Sequence, residues 1–141
     1  MAQQTIQTSI EIAATPARIW ETLTDFENYP SWNPFLTSVK GDFAVGKQVE
    51  INAGGMQFKP TVLAFEPHRE IRWLGHLWFK GLFDGEHRFV IIDNQDGTST
   101  FKHEEQFNGL LVGLFAKKLA TETTAGFEEM NRKLKALAEQ E

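Results

Sequence analysis

His87, His103 and Glu105 lie in two stretches, GLFDGEHRF and FKHEEQFNGLL, that alternate as strands do. Two imidazoles and a carboxylate on one face could hold a ligand carbonyl by hydrogen bonds, or move a proton near neutral pH. They could equally bond to one another or to water and so satisfy their own burial, because an unpaired buried polar group costs about 1–3 kcal/mol. The three types also suit a metal. Directly opposed strand residues rarely converge on one point without a bulge, however, so no metal and no cofactor is expected. Signatures of other chemistries are missing. Gly54-Gly55 reads as a strand-end turn with no Lys-Ser after it. No G-x-S-x-G elbow occurs, and covalent catalysis is not indicated.

A hairpin must position the three. If Ile92 pairs with Thr98 across a short DNQDG loop, Phe89 faces Phe101 and His87 faces His103. Gly85 then faces Glu105, and Phe83 faces Phe107. This register puts the aromatic pairs on one side, which a one-residue slip would scramble. In REIRWLGHLWF, the odd positions Ile71, Trp73, Gly75, Leu77 and Phe79 look inward, while His76 and Trp78 look outward. Trp73, Phe79, Phe89, Phe101 and Phe107 thus form an aromatic inner face. Any one of them is explained by core packing; together on a concave sheet they suggest a pocket with few polar anchors. Trp32, Asn33 and Pro34 either sit at its mouth or plug the end of the fold.

The remaining elements follow from periodicity. Ile6, Thr8, Ile10 and Ile12 share a strand face, and Thr15-Pro16 caps and opens a helix carrying Ile19, Trp20 and Leu23. Pro30 and Pro34 allow only a short second helix or turn before a loop. Val49, Ile51 and Ala53 mark one strand, and a second runs from about Phe58 to Phe65. From about Leu111 to Glu139 the period is helical, with Phe115, Leu119, Phe127, Met130 and Leu134 in one stripe. Gly126 interrupts it, either for close contact with the sheet or as a slight kink. The predicted order is β-α-α-β-β-β-β-β-β-α, an α+β chain read as a single domain over residues 1–141.

This order, with TPARIWETLTDFENYPSWNPF after the first strand, GLFDGEHRF, and FKHEEQFNGLL before the last helix, resembles the START-like or Bet v 1-like (SRPBCC) superfamily. Within it the likeness is to the polyketide cyclase/dehydrase and lipid-transport group. The resemblance spans essentially the whole chain. It implies the helix-grip fold, a curved antiparallel sheet around a long C-terminal helix, with a cavity between them for an apolar or amphipathic small molecule. It does not separate carriers from enzymes, because the superfamily hosts both. The ligand-binding candidates are Trp32, Trp73, Phe79, His87, Phe89, Phe101, His103, Glu105 and Phe107, with Phe127 of the helix stripe. The catalytic candidates are His87, His103 and Glu105.

Bulk composition narrows the partners. A formal net charge of −5 argues against nucleic acid, whose partners carry a basic face. With no cysteine there is no disulfide and no thiolate chemistry. The N-terminus does not read as a signal peptide, and no window approaches the roughly 18 apolar residues of a spanning helix. A cytoplasmic location without stable membrane insertion is expected. Three functions stay open: a carrier or sensor of a hydrophobic molecule, a cyclase/dehydratase-type enzyme using acid–base chemistry, and a protein-interaction module. An outward Trp78 would serve the last as a dimer patch.

Overall fold

The computed structural model describes residues 2–77 and 79–140. Strand β1, Ala2–Ile12, buries Ile6 and Ile12 from its inward face. The Thr15 hydroxyl then accepts the Arg18 amide at 3.3 Å, and Pro16 opens helix α1, Pro16–Leu23. A single 3₁₀ turn, Phe26–Asn28, leads to the short helix α2, Tyr29–Trp32. Asn33 ends it: its Oδ1 accepts the amides of Phe35 and Leu36 at 3.0 and 2.8 Å and so starts the next strand.

Two antiparallel sheets follow. Strands β2 (Leu36–Lys40), β3 (Glu50–Ala53) and β4 (Met56–Phe58) make the smaller one. Strands β5 (Thr61–Glu66), β6 (Glu70–His76), β7 (Asp84–Asp93) and β8 (Ser99–Gly109) join β1 in a five-stranded sheet of order β1-β8-β7-β6-β5. A bridge between Gln48 and Thr61 links the two sheets. The strand expected from Phe58 to Phe65 is therefore two, β4 and β5. Pro60 lies in the gap, where it has no amide to give to a ladder.

The β7–β8 register also differs from expectation. His87 pairs with Glu105, Phe89 with His103, Ile91 with Phe101 and Gly85 with Phe107. Asp93 Oδ1 accepts the Gln95 amide, and Asp96 Oδ1 accepts the amide and hydroxyl of Thr98. These side-chain turns hold Asn94 to Thr98 as the loop and make Asp93–Ser99 the last pair. Each partner moves by two residues. Because two is the side-chain period, the inward face is kept.

After β8 the expected continuous helix is built in pieces. A 3₁₀ turn (Gly113–Phe115), helix α3 (Ala116–Lys118) and a π-helical turn (Leu119–Thr123) precede helix α4, Thr124–Ala138. Within this wider turn the Thr124 hydroxyl donates to the Leu119 carbonyl at 3.2 Å. Helix α4 lies across the concave sheet. Its C-terminal carbonyls, Leu137 and Ala138, accept from the Arg18 guanidinium at 3.2 and 3.4 Å, a favourable end for a cation. Gly126 is the close-approach point: a Cβ there would meet the Phe35 ring at 2.7 Å, so only glycine lets that ring seat on the helix. A main core around Tyr29, Leu36, Phe89, Phe101, Met130 and Leu134 continues into a second around Ile6, Phe107, Val112, Leu119 and Phe127. Among the described residues, no helix is long and apolar enough to cross a membrane.

Candidate functional site

Strands β6, β7 and β8, the β3–β4 hairpin and the segment from Phe115 to Thr123 enclose a cavity of about 230 Å³. Its wall is mostly apolar, with Phe35, Trp73, Phe83, Phe107, Phe115 and Leu119 among the lining side chains. His87 and Glu105 are the titratable groups set into its inner wall, and Lys118, exposed, stands at the helical end.

The two polar groups belong to a longer chain. His87 Nδ1 lies 2.9 Å from Glu105 Oε1, and His87 Nε2 lies 2.8 Å from His103 Nε2. His103 Nδ1 reaches Asn131 Oδ1 of α4 at 2.9 Å. Asn131 Nδ2 reaches the Thr8 hydroxyl of β1 at 2.9 Å, and that hydroxyl donates to the His103 carbonyl at 2.8 Å. The last bond sets the polarity, since a carbonyl only accepts. Thr8 must give its proton there, so its oxygen accepts from Asn131 Nδ2. Asn131 Oδ1 therefore faces His103 and accepts from an Nδ1–H. Burial foremost, then the adjacent His87, holds the His103 pKa well below the usual imidazole range, against the opposing effect of the Asn131 bond. A neutral His103 carrying Nδ1–H offers only a lone pair at Nε2. His87 must then donate through Nε2, and a single proton lies between His87 Nδ1 and Glu105 Oε1.

Packing holds these rings still. The Trp73 indole stacks on His87 at 4.8 Å and 14°, and Phe127 stacks on His103 at 3.9 Å and 7°. Gly85 makes room for the carboxylate: a Cβ on it would collide with Glu105 Oε2. Among the described residues, no group of three or more His, Asp or Glu side chains is arranged to hold a metal ion. The imidazoles spend their facing nitrogens on each other instead of on a common point.

Folding traps His103 in its neutral form, and this has a sign. The unfolded chain takes up a proton on His103 near pH 6.5, which the folded chain refuses. The stability contribution is whole above that pH and declines as pH falls below it, by up to about 1.4 kcal/mol per pH unit. The groups facing His103 are His87 from β7, Asn131 and Phe127 from α4, and Thr8 from β1. The urea midpoint of the wild type is thus expected to fall between about pH 7.5 and pH 5.5, and that of His103→Phe to fall less. Equal declines in both proteins would contradict the assignment.

The other anticipated residues divide. Trp73, His87, Glu105 and Phe107 line the cavity. His103 lies behind His87, completely buried, and Phe89, Phe101 and Phe127 are core residues that do not reach the wall. Trp32 packs against Tyr29 at 5.2 Å and the main core, away from the lining, which favours a plug over a mouth. Phe79 is 64% exposed, not inward. Strand β6 stops at His76, because Asp84 Oδ1 contacts His76 Nδ1 at 2.7 Å and accepts the Gly81 amide at 3.1 Å. The intervening loop leaves the ladder, and the Phe79 amide bonds to the Leu77 carbonyl at 3.0 Å. Trp78 lies outside the described residues. Asn131 and Thr8 were not anticipated as members of the site. Asn131 had a signal, as a polar side chain four residues after Phe127 inside an apolar helical stripe.

Residues 3–139 match the family described as polyketide cyclase / dehydrase and lipid transport. No curated protein matches the chain. Several solved structures share the fold. A hypothetical protein, jhp0584, from Helicobacter pylori superposes with a TM-score of 0.81 at 14% identity, covering 96% of this chain and 88% of that one. A START superfamily protein from Mycobacterium smegmatis gives 0.69 at 22% identity, over 94% and 98% of the two chains. A norcoclaurine synthase point mutant from Thalictrum flavum, in complex with a transition-state analogue, gives 0.73 at 12% identity, over 97% and 94%.

Proposed function

We propose, since this chain belongs to the polyketide cyclase / dehydrase and lipid transport family of the START-like and Bet v 1-like superfamily, that it binds a small hydrophobic or amphipathic molecule in its cavity as a carrier or sensor. The supporting observation is the wall itself: aromatic and aliphatic side chains interrupted at one inner point by His87 and Glu105. Burying ligand surface there contributes roughly 25 cal/mol per Å² of apolar area, and the polar pair orients the molecule. A cytoplasmic location and the absence of a nucleic-acid partner belong to the same proposal.

The pair also favours a second reading. A carboxylate and an imidazole sharing one proton at a cavity wall are the parts of an acid–base catalyst of the cyclase or dehydratase type. His103 and Asn131 would then position His87. One substitution separates the readings, tested on the compound identified by native mass spectrometry of the purified protein. For a carrier, His87→Ala is expected to weaken affinity by more than about tenfold, or ~1.4 kcal/mol, with no turnover in the wild type. Turnover in the wild type that His87→Ala abolishes at nearly unchanged affinity would replace the carrier with the enzyme.

A further inference from the structure

Which end group would the inner wall accept? The hydrogen-bond chain answers this through its last atom. Glu105 uses Oε1 for His87, and among the described residues Oε2 has no hydrogen-bond donor from the protein. Oε2 lies over Gly85, whose missing side chain leaves the carboxylate its place beside the cavity.

Consider where the protons can be. With the chain polarity set by the His103 carbonyl, one proton lies between His87 and Glu105. If it sits on His87, Glu105 is a carboxylate and Oε2 accepts. If it sits on Glu105 Oε1, Oε2 is the carbonyl oxygen of an acid and still accepts. Were His103 charged instead, its Nε2–H would donate to His87. His87 would then donate to Glu105 through Nδ1, and again Oε2 would accept. Oε2 becomes a donor only with an additional proton, which leaves a net positive charge on three side chains of which two are almost fully buried and one is 14% exposed. Such a charge in an apolar wall is costly. The inner wall is thus acceptor-only.

We propose that the cavity selects an apolar molecule ending in a hydroxyl, an alcohol or a phenol, and turns away the matching carboxylate and ether. This rests on the reading of the cavity as a ligand site. A hydroxyl gives Oε2 the donor it lacks. A carboxylate would bring an acceptor, and a negative charge, against another acceptor. An ether fills the same space with no proton to give. Leaving polar groups mismatched in a buried site discriminates more strongly than shape alone.

The test uses the full-length protein and three probes of one shape: 2-naphthol, 2-methoxynaphthalene and 2-naphthoate, titrated by calorimetry at neutral pH. The expected result is that 2-naphthol binds at least about tenfold more tightly than either of the others. In Glu105→Leu the advantage over the ether should vanish to within about twofold. Glu105→Gln should retain it in part, because its amide can donate to His87 Nδ1 and still turn a carbonyl oxygen to the cavity. Equal binding of all three by the wild type, or tighter binding of 2-naphthoate, overturns the inference while leaving the cavity a ligand site. An advantage that survives intact in Glu105→Leu overturns it as well. Binding of none of the probes at millimolar concentration overturns the ligand-site reading itself, and this inference with it.

Discussion

Phe127→Ala is expected to remove about 3–5 kcal/mol of folding stability, the usual cost of truncating a buried phenylalanine. The side chain is fully buried at the point where helix α4 meets the sheet. It stacks on His103 at 3.9 Å, meets Phe35 edge-on at 5.1 Å and lies 5.1 Å from His87. Relaxation cannot readily close the gap. Phe35 is already tight against Gly126, and the His103 ring is held by a hydrogen bond at each end. Phe127→Leu, which keeps most of the volume, should cost less, about 1–2 kcal/mol. Urea denaturation at about pH 7.5 measures both. A loss below about 1.5 kcal/mol for the alanine variant would mean that the site collapses around the missing ring. The imidazole pair would then not be braced as the packing indicates.

That bracing marks the limit of what could be read in advance. The inward face of β7 and β8 was legible because strand side chains alternate with a period of two, and the aromatic residues obey it. The register was not, since a two-residue slide preserves the same face, and the choice between slides rests on how Asp93 and Asp96 close their turns. The consequence is chemical. In the register read from the sequence the two histidines are direct partners; in the structure His87 is paired with Glu105 and meets His103 diagonally. Phe79 was misplaced for a related reason, since alternation continues through HLWF while Asp84 ends the strand by binding His76 and Gly81. The cavity residues from the last helix, Phe115 and Leu119, stood in the anticipated stripe. The 3₁₀ turn that carries Phe115 and the π-helical turn that begins at Leu119 left no mark in the hydrophobic period. Asn131 was within reach of the reading, as the partner that a buried His103 must have on the facing helix.

A double-mutant cycle on His103 and Asn131 isolates the bond that orients the chain. Asn131→Leu alone is expected to cost about 2–4 kcal/mol, because it strips the acceptor from fully buried His103 Nδ1 and a donor from half-buried Thr8. His103→Phe alone should cost a comparable amount, through the stranded Asn131 oxygen and the stranded His87 Nε2–H. Adding Asn131→Leu to His103→Phe should then cost much less than adding it to the wild type. Removing both partners of a buried hydrogen bond and leaving apolar shape behind approaches neutrality. The expected coupling is about 1–3 kcal/mol, measured from urea midpoints above pH 7, where protonation of the unfolded His103 does not enter. Additive losses would show that the two side chains are satisfied separately. In that case nothing would fix the His103 tautomer, and the direction of the hydrogen bond between His103 and His87 would lose its assignment, while Glu105 Oε2 would accept in either direction.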